Sequence, residues 1–266
     1  MKLMTDVQNQ PDSRGIKIQK TGVTKVHLPF LISDCGEVQQ VVAQIRFTVA
    51  LAENLRGTHM SRLAEILTDW TRQPIKIPDV EKILLEALEK LSTDFATITI
   101  DFKFFTEKFS PVSKKFSLSS VDCQFQGELK RGEHMKFTLG LAVPFTSLCP
   151  CSKEISDFGA HNQRSLCRAK LTFKDFNDVS IKNLIQLIEA QGSAEIFPIL
   201  KREDEKFITE AAYKNPKFVE DILRDVVIAL RGVKNLSTFS VECENFESIH
   251  NHNAFAAHEE FNTKYF

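Results

Sequence analysis

The apolar residues of this chain change their period in the same order twice, and that repetition restricts the fold more than any other feature. From Gln40 to Val49, Val41, Ala43, Ile45, Phe47 and Val49 alternate with polar neighbours, the period of a half-buried strand. A preceding strand is expected around Thr24–Ser33. After Gly57 the period lengthens: Met60, Leu63, Leu67 and Trp70 share one helical face, and Val80, Ile83, Leu84, Leu88 and Leu91 repeat it after Pro78 and Asp79. Alternation returns in Ile98, Ile100, Phe102 and Phe104 and again in Val121, Cys123 and Phe125. The first half therefore reads ββααββ.

The second half repeats that order. Phe137–Val143 and Cys167–Phe173 alternate as strands. One helix is expected from the cap Ser180 through Ile181, Leu184 and Ile188 to Gly192, and another from Asn215 and Pro216 through Val219, Ile222, Val226 and Leu230 to Gly232. A strand over Phe239–Cys243 and a further one near His250 complete the set. The fold class is α+β, with antiparallel sheets and helices on one face. The module boundary falls near Leu129–Glu133, giving modules 1–130 and 131–266. Residue types on the uncovered face fit solvent and a subunit interface equally.

With 266 residues and 42% apolar composition the chain can bury one large core or two modest ones. Its 34 basic and 35 acidic residues leave a formal net charge of -1, so no global field draws it to nucleic acid or to a membrane. No stretch approaches the roughly 20 apolar residues of a spanning helix, and Met1–Gly15 is polar, so a cytoplasmic location is expected. Six scattered cysteines do not form a disulfide framework, and no C-x-x-C pair marks a structural zinc site.

Three stretches carry chemistry. Thr146–Ser165 is a polar connection between two strong strands and holds Cys149, Cys151 and His161. Alone, Cys149-Pro150-Cys151 reads as two inert thiols in a turn; His161 close behind shifts the reading toward a metal, since thiolate and imidazole suit zinc. Glu244–His252 places two carboxylates and two imidazoles within one short run. On a strand His250 and His252 would share a face while Glu247 pointed away, so Glu247 joins them only if the chain bends. Lys201–Lys206 is a charge run, read on composition as solvated surface.

These motifs resemble one family. Cys149–Ser165, Glu244–His252 and the amino-terminal Asp6–Gly15 are similar to type IB GTP cyclohydrolases, and Gly57–Arg62 and Asn215–Glu220 extend the resemblance over both modules. It implies the tunnelling fold with two ββααββ modules per chain, a homotetramer with sites at subunit interfaces, and hydrolytic opening of the guanine ring of GTP to formate and 7,8-dihydroneopterin triphosphate. It also implies a divalent metal, Zn2+ or Mn2+, held by Cys149, His161 and Glu205. Cys149, Glu247, His250 and His252 are then expected at the reaction centre and Glu220 on the purine, with Lys153, Arg164, Lys206, His59 and Arg62 as candidates for the triphosphate. Glu203 stands where the family has proline. Two rivals are a deazaguanine nitrile reductase of the same fold, whose signature is absent, and a non-catalytic purine- or pterin-binding protein, which would not need Cys149, His161 and His250.

Overall fold

The computed structural model describes residues 6–8, 10–176 and 179–261; Asn9, within the Asp6–Gly15 motif, lies outside the described residues. The chain divides into two compact units, one of residues 1–102 and 124–138 and the other of 103–123 and 139–266.

In the first unit β1 (Ile18–Asp34) and β2 (Glu37–Leu51) form an antiparallel hairpin. Its turn is Cys35-Gly36, both at positive φ (47° and 94°), which a two-residue turn of this hand requires and which Gly36 adopts without strain. Then follow α1 (Met60–Trp70), a two-residue strand β3 (Pro74–Ile75) parallel to β1, α2 (Asp79–Lys90), and the strands β4 (Phe95–Phe109), up to Phe102, and β5 (Phe116–Lys130), from Gln124; residues 103–123 belong to the second unit. β2 pairs antiparallel with β4, from Gln44 opposite Asp101 to Val49 opposite Ala96. Ile45, Phe47, Ile98 and Ile100 are buried with Leu63, Ile66, Leu67, Ile83 and Leu84 of the helices, while Gln44, Arg46 and Asp101 on the opposite face are exposed. Gly127 marks how closely α2 approaches β5, since a Cβ there would lie 2.7 Å from Val80 and 3.0 Å from Leu84. The expected ββααββ order is present, with β3 added between the helices.

The second unit contains β6 (Lys136–Leu148) from Leu139 onward, a short helix α3 (Pro150–Ile155), β7 (Asn162–Phe173), α4 (Ile181–Glu189), α5 (Arg202–Lys214), α6 (Val219–Arg231), β8 (Leu236–Asn245) and β9 (Ala254–Phe261). β7, β8 and β9 pair antiparallel in that order. Ser180 caps α4 as expected, its Oγ accepting from the Asn183 N–H at 3.2 Å. α6 packs on β8 and β9, burying Ile222, Val226 and Leu230 near Val241 and Cys243. Arg131–Glu133, where the sequence pattern puts the module boundary, is the turn between β5 and β6. Among the described residues no helix is long and apolar enough to cross a membrane.

Three local expectations need correction. No strand runs through His250: residues 246–253 form the connection between β8 and β9, whose register closes at Asn245 opposite Ala254, so His250 and His252 lie on a bent loop. The charge run Lys201–Lys206 opens α5 and is not merely solvated surface. Asp204 accepts the Lys201 N–H at 2.8 Å, and Glu203, Asp204 and Glu205 suit the positive end of the helix. The last helix begins at Val219 rather than at Asn215, because Asp221 reaches back to cap the Phe218 N–H at 3.1 Å.

Candidate active site

Cys149 sits where β6 ends and α3 begins. Its Sγ accepts a hydrogen bond from the Ser152 N–H at 3.4 Å, and its own N–H donates to the His161 carbonyl at 3.1 Å. The loop after α3 thus returns beside the residue that started it. Ser152 closes the turn further: its Oγ accepts from the His161 N–H at 3.3 Å and donates to the Cys149 carbonyl at 3.2 Å.

The His161 ring is held by a chain of side chains on β7 and β6. Its Nδ1 lies 3.0 Å from Gln163 Oε1, and Gln163 Nε2 donates to Ser147 Oγ at 2.8 Å, which also accepts from Ser165 Oγ at 2.8 Å. With the amide nitrogen turned to Ser147, the Gln163 oxygen faces His161, an arrangement that suits a hydrogen on Nδ1. Gln163 is 8% exposed, which makes this orientation costly to undo.

The bend at 246–253 brings Glu247 to the same place. The Phe246 N–H donates to the Arg164 carbonyl at 3.1 Å, and Glu247 Oε2 then lies 3.8 Å from His161 Nδ1, each side chain 12% exposed. Glu244 does a different job: it accepts from Asn253 Nδ2 and from Arg168, both at 2.9 Å, pinning the two ends of the loop. Those two hydrogen bonds, Asn253 first, hold its carboxyl below the usual range. His250 and His252 stack at the exposed tip with ring centroids 5.1 Å apart.

Cys149 and His161 are thus joined through their backbones and Glu247 lies beside the His161 ring; the other expected residues have these settings. Glu205 is exposed on the first turn of α5 with Glu203; Asp204 between them is buried. Glu203 occupies the second helical position, where the family's proline would lose no intrahelical bond and a carboxylate suits the dipole. Glu220 is exposed on the first turn of α6. Lys153 is engaged elsewhere, donating to the Tyr213 carbonyl at 2.6 Å and lying over its ring. Lys206 is 3.8 Å from Glu210, and Arg164 is exposed.

His59 and Arg62 belong to the first unit, where they line a cavity of about 710 Å3 with Lys17 and Arg131. Arg62 and Arg131 donate to the carbonyls of Lys90, Leu88 and Thr93, so both close the end of α2. Cys149, His161 and Glu247 do not line this cavity. A cavity of about 190 Å3 in the second unit contains no candidate site residue.

Among the described residues no group of three or more His, Cys, Asp and Glu side chains is arranged to hold a metal ion. The donor chemistry nonetheless fits a divalent ion in part: a thiol and an imidazole are the softer ligands zinc takes. Sequence reasoning missed Gln163 and Ser147, although Gln163 lies only two residues after His161, at the start of β7.

A sequence model of the family described as type I GTP cyclohydrolase folE2 matches residues 4–256. The chain belongs to this family. As a member it is 46% identical over 255 residues to the GTP cyclohydrolase FolE2 of Geotalea uraniireducens, covering 96% of this chain and 92% of that one. It is likewise 46% identical over 258 residues to the FolE2 of Geobacter sulfurreducens, covering 97% and 98%. Among solved structures the family member resembles the uricase of Arthrobacter globiformis, with a TM-score of 0.55 at 7% identity over 92% of this chain and 94% of that one. The urate oxidase of Bacillus subtilis 168 gives a TM-score of 0.51 at 9% identity over 91% and 98%. At such identities the likeness is one of fold, and the fold is the tunnelling fold.

Proposed function

We propose that this chain is a GTP cyclohydrolase I, converting GTP and water to formate and 7,8-dihydroneopterin triphosphate by hydrolytic opening of the guanine imidazole ring. The family to which the chain belongs carries the reading, supported by the backbone bond between Cys149 and His161 and the approach of Glu247 to the His161 ring. Carbon 8 of guanine is a poor electrophile, and opening the ring moves protons onto nitrogen. Residues that hold and transfer protons are therefore required. Glu247, 3.8 Å from His161 Nδ1, is assigned to orienting an imidazole or moving a proton, and His250 and His252, on the same loop, to donating protons to the opened ring. The Glu220 carboxylate accepts two hydrogen bonds from the guanine edge, at N1 and the exocyclic amine, which adenine cannot supply.

A divalent ion, Zn2+ or Mn2+, when bound by Cys149 and His161 with Glu205 as a further ligand, supplies a water made nucleophilic near neutral pH. The triphosphate is assigned to cations drawn from Arg164, Lys206, His59, Arg62 and Lys153. The enzyme is cytoplasmic and works as a homotetramer with sites at subunit interfaces. Support for assembly comes from Phe105, Phe109, Phe116 and Leu118 on the β4–β5 hairpin, which leave 42–54% of their surface open. Sedimentation gives the subunit count directly. Chelator should abolish formate release from GTP, and added Zn2+ or Mn2+ should restore it; full turnover by metal-free protein would remove the metal from this reading.

A further inference from the structure

The Glu220 side chain has no hydrogen bond or ion pair with any described residue, so its position is set by the backbone of the first turn of α6. Three separate segments of the second unit meet just before that turn: the end of β6, the stretch 191–194 after α4, and the stretch 215–217 before α6. Leu148, the residue before Cys149, is their meeting point and is 3% exposed. Its N–H donates to Ser193 Oγ at 3.1 Å, and its carbonyl accepts the Lys217 N–H at 3.1 Å. Asn215 Nδ2 donates to the carbonyls of Gly192 and Ser193 at 3.1 and 3.3 Å.

Lys217 adds the contacts that hold this junction. Its side chain is only 16% exposed, and Nζ donates to the Gln191 carbonyl at 2.9 Å and lies 2.8 Å from Asp225 Oδ2, two turns along α6. A cation just ahead of a helix opposes the helix dipole, so helix stability does not explain a lysine here. Nor does solvation, since most of the side chain is covered. Its contacts instead fasten the start of α6 to the stretch after α4, while its backbone is bonded to the residue that precedes Cys149. Glu220 follows three residues later, within one rigid turn.

We infer that Lys217 is a positioning residue for the reaction, fixing the first turn of α6 and with it the guanine-reading carboxylate of Glu220 relative to Cys149. The inference rests on the reading of Glu220 given under Proposed function. Removing the ammonium lets the first turn shift, so the two hydrogen bonds to the guanine edge lengthen together. Inosine triphosphate, which lacks the exocyclic amine, has less to lose from that shift than GTP.

The test is the ratio of kcat/KM for GTP to that for inosine triphosphate, in the full-length protein and in K217M, K217R, D225N, E220Q and K217M/E220Q. The ratio does not depend on how much of a variant is correctly folded, so a purely stabilising role would not move it. K217M should lower the preference for GTP by about 10-fold, the scale on which one charged hydrogen bond discriminates. K217R should keep most of it. D225N, which leaves Lys217 in place but removes its ion-pair partner, should give an intermediate loss and serves if K217M does not fold. In the E220Q background K217M should change nothing further. A parental ratio in K217M and D225N, with a collapsed ratio in E220Q, overturns the inference and leaves the Glu220 reading standing. A parental ratio in E220Q overturns both.

Discussion

Replacing Gln163 by leucine tests whether the orientation of His161 matters to the chemistry. Leucine matches the volume but removes both polar ends, the acceptor 3.0 Å from His161 Nδ1 and the donor 2.8 Å from Ser147 Oγ. Ser147 keeps Ser165, so the deficit falls on the imidazole. Glu247, at 3.8 Å from Nδ1, is too far for a hydrogen bond without movement of the ring or the loop. Leaving that covered N–H unpaired costs about 1–3 kcal/mol of stability. A ring that can turn presents Nε2 wrongly for part of the time, and loss of such a supporting hydrogen bond lowers metal affinity or activity by roughly 10–100-fold. Q163L should therefore lose about that much in kcat/KM for GTP. S147A, which leaves the Gln163 acceptor in place but removes the partner of its amide nitrogen and of Ser165 Oγ, should lose less in kcat/KM. The assay is pterin fluorescence after oxidation, with denaturant titration to read stability. Q163L within about 2-fold of the parent would refute the reasoning.

Other substitutions probe separate features. C149A should lose metal and turnover together, whereas H250A should keep its metal while losing about 10²-fold in turnover if His250 transfers a proton; equal metal loss, read by elemental analysis, would make His250 a ligand. Gly192→Ala would bring a Cβ within 2.8–2.9 Å of the buried Phe145 side chain, so it should cost about 1–3 kcal/mol in chemical denaturation; unchanged stability would mean that the ring moves freely. Burial alone would raise the Asp204 carboxyl, but hydrogen bonds from Ser113 Oγ and the N–H groups of Ser113, Lys201 and Val112 outweigh it and hold the group well below the usual range. Its stabilising contribution is present above the ordinary carboxyl pKa and is lost as pH falls below it. D204N should therefore lower Tm most near neutrality and least in acid, and a deficit independent of pH would contradict this.

Much of the architecture was legible because the sheets are covered on one face only. Alternation in β2, β4 and β7 and the helical stripes of α1, α2, α4 and α6 record that burial directly. α5 left no such record, since only Asp204 and Ala212 are buried on it and its start is fixed by contacts with Lys201 and with Val112 and Ser113 far away in sequence. β3 is set by two residues of pairing to β1, too short for a periodic signal. At the site, residue types singled out Cys149, His161 and Glu247, but the approach of Glu247 to His161 depends on the β7–β8 register, Ser165 opposite Asn245, and on the bend that follows. A strand through His250 would have sent Glu247 away. The junction of Leu148, Ser193 and Lys217 joins three distant segments mostly through backbone atoms, which no side-chain pattern announces.

The central claim is that the centre built on Cys149 removes carbon 8 of GTP, and GTP labelled at that carbon tests it directly. Metal-supplied protein should release the label as formate, one per GTP consumed, with an equal amount of pterin that becomes fluorescent on oxidation, and C149A should release none. Consumption of GTP with the label retained in a purine, or formate release by C149A at the parental rate, would contradict the claim.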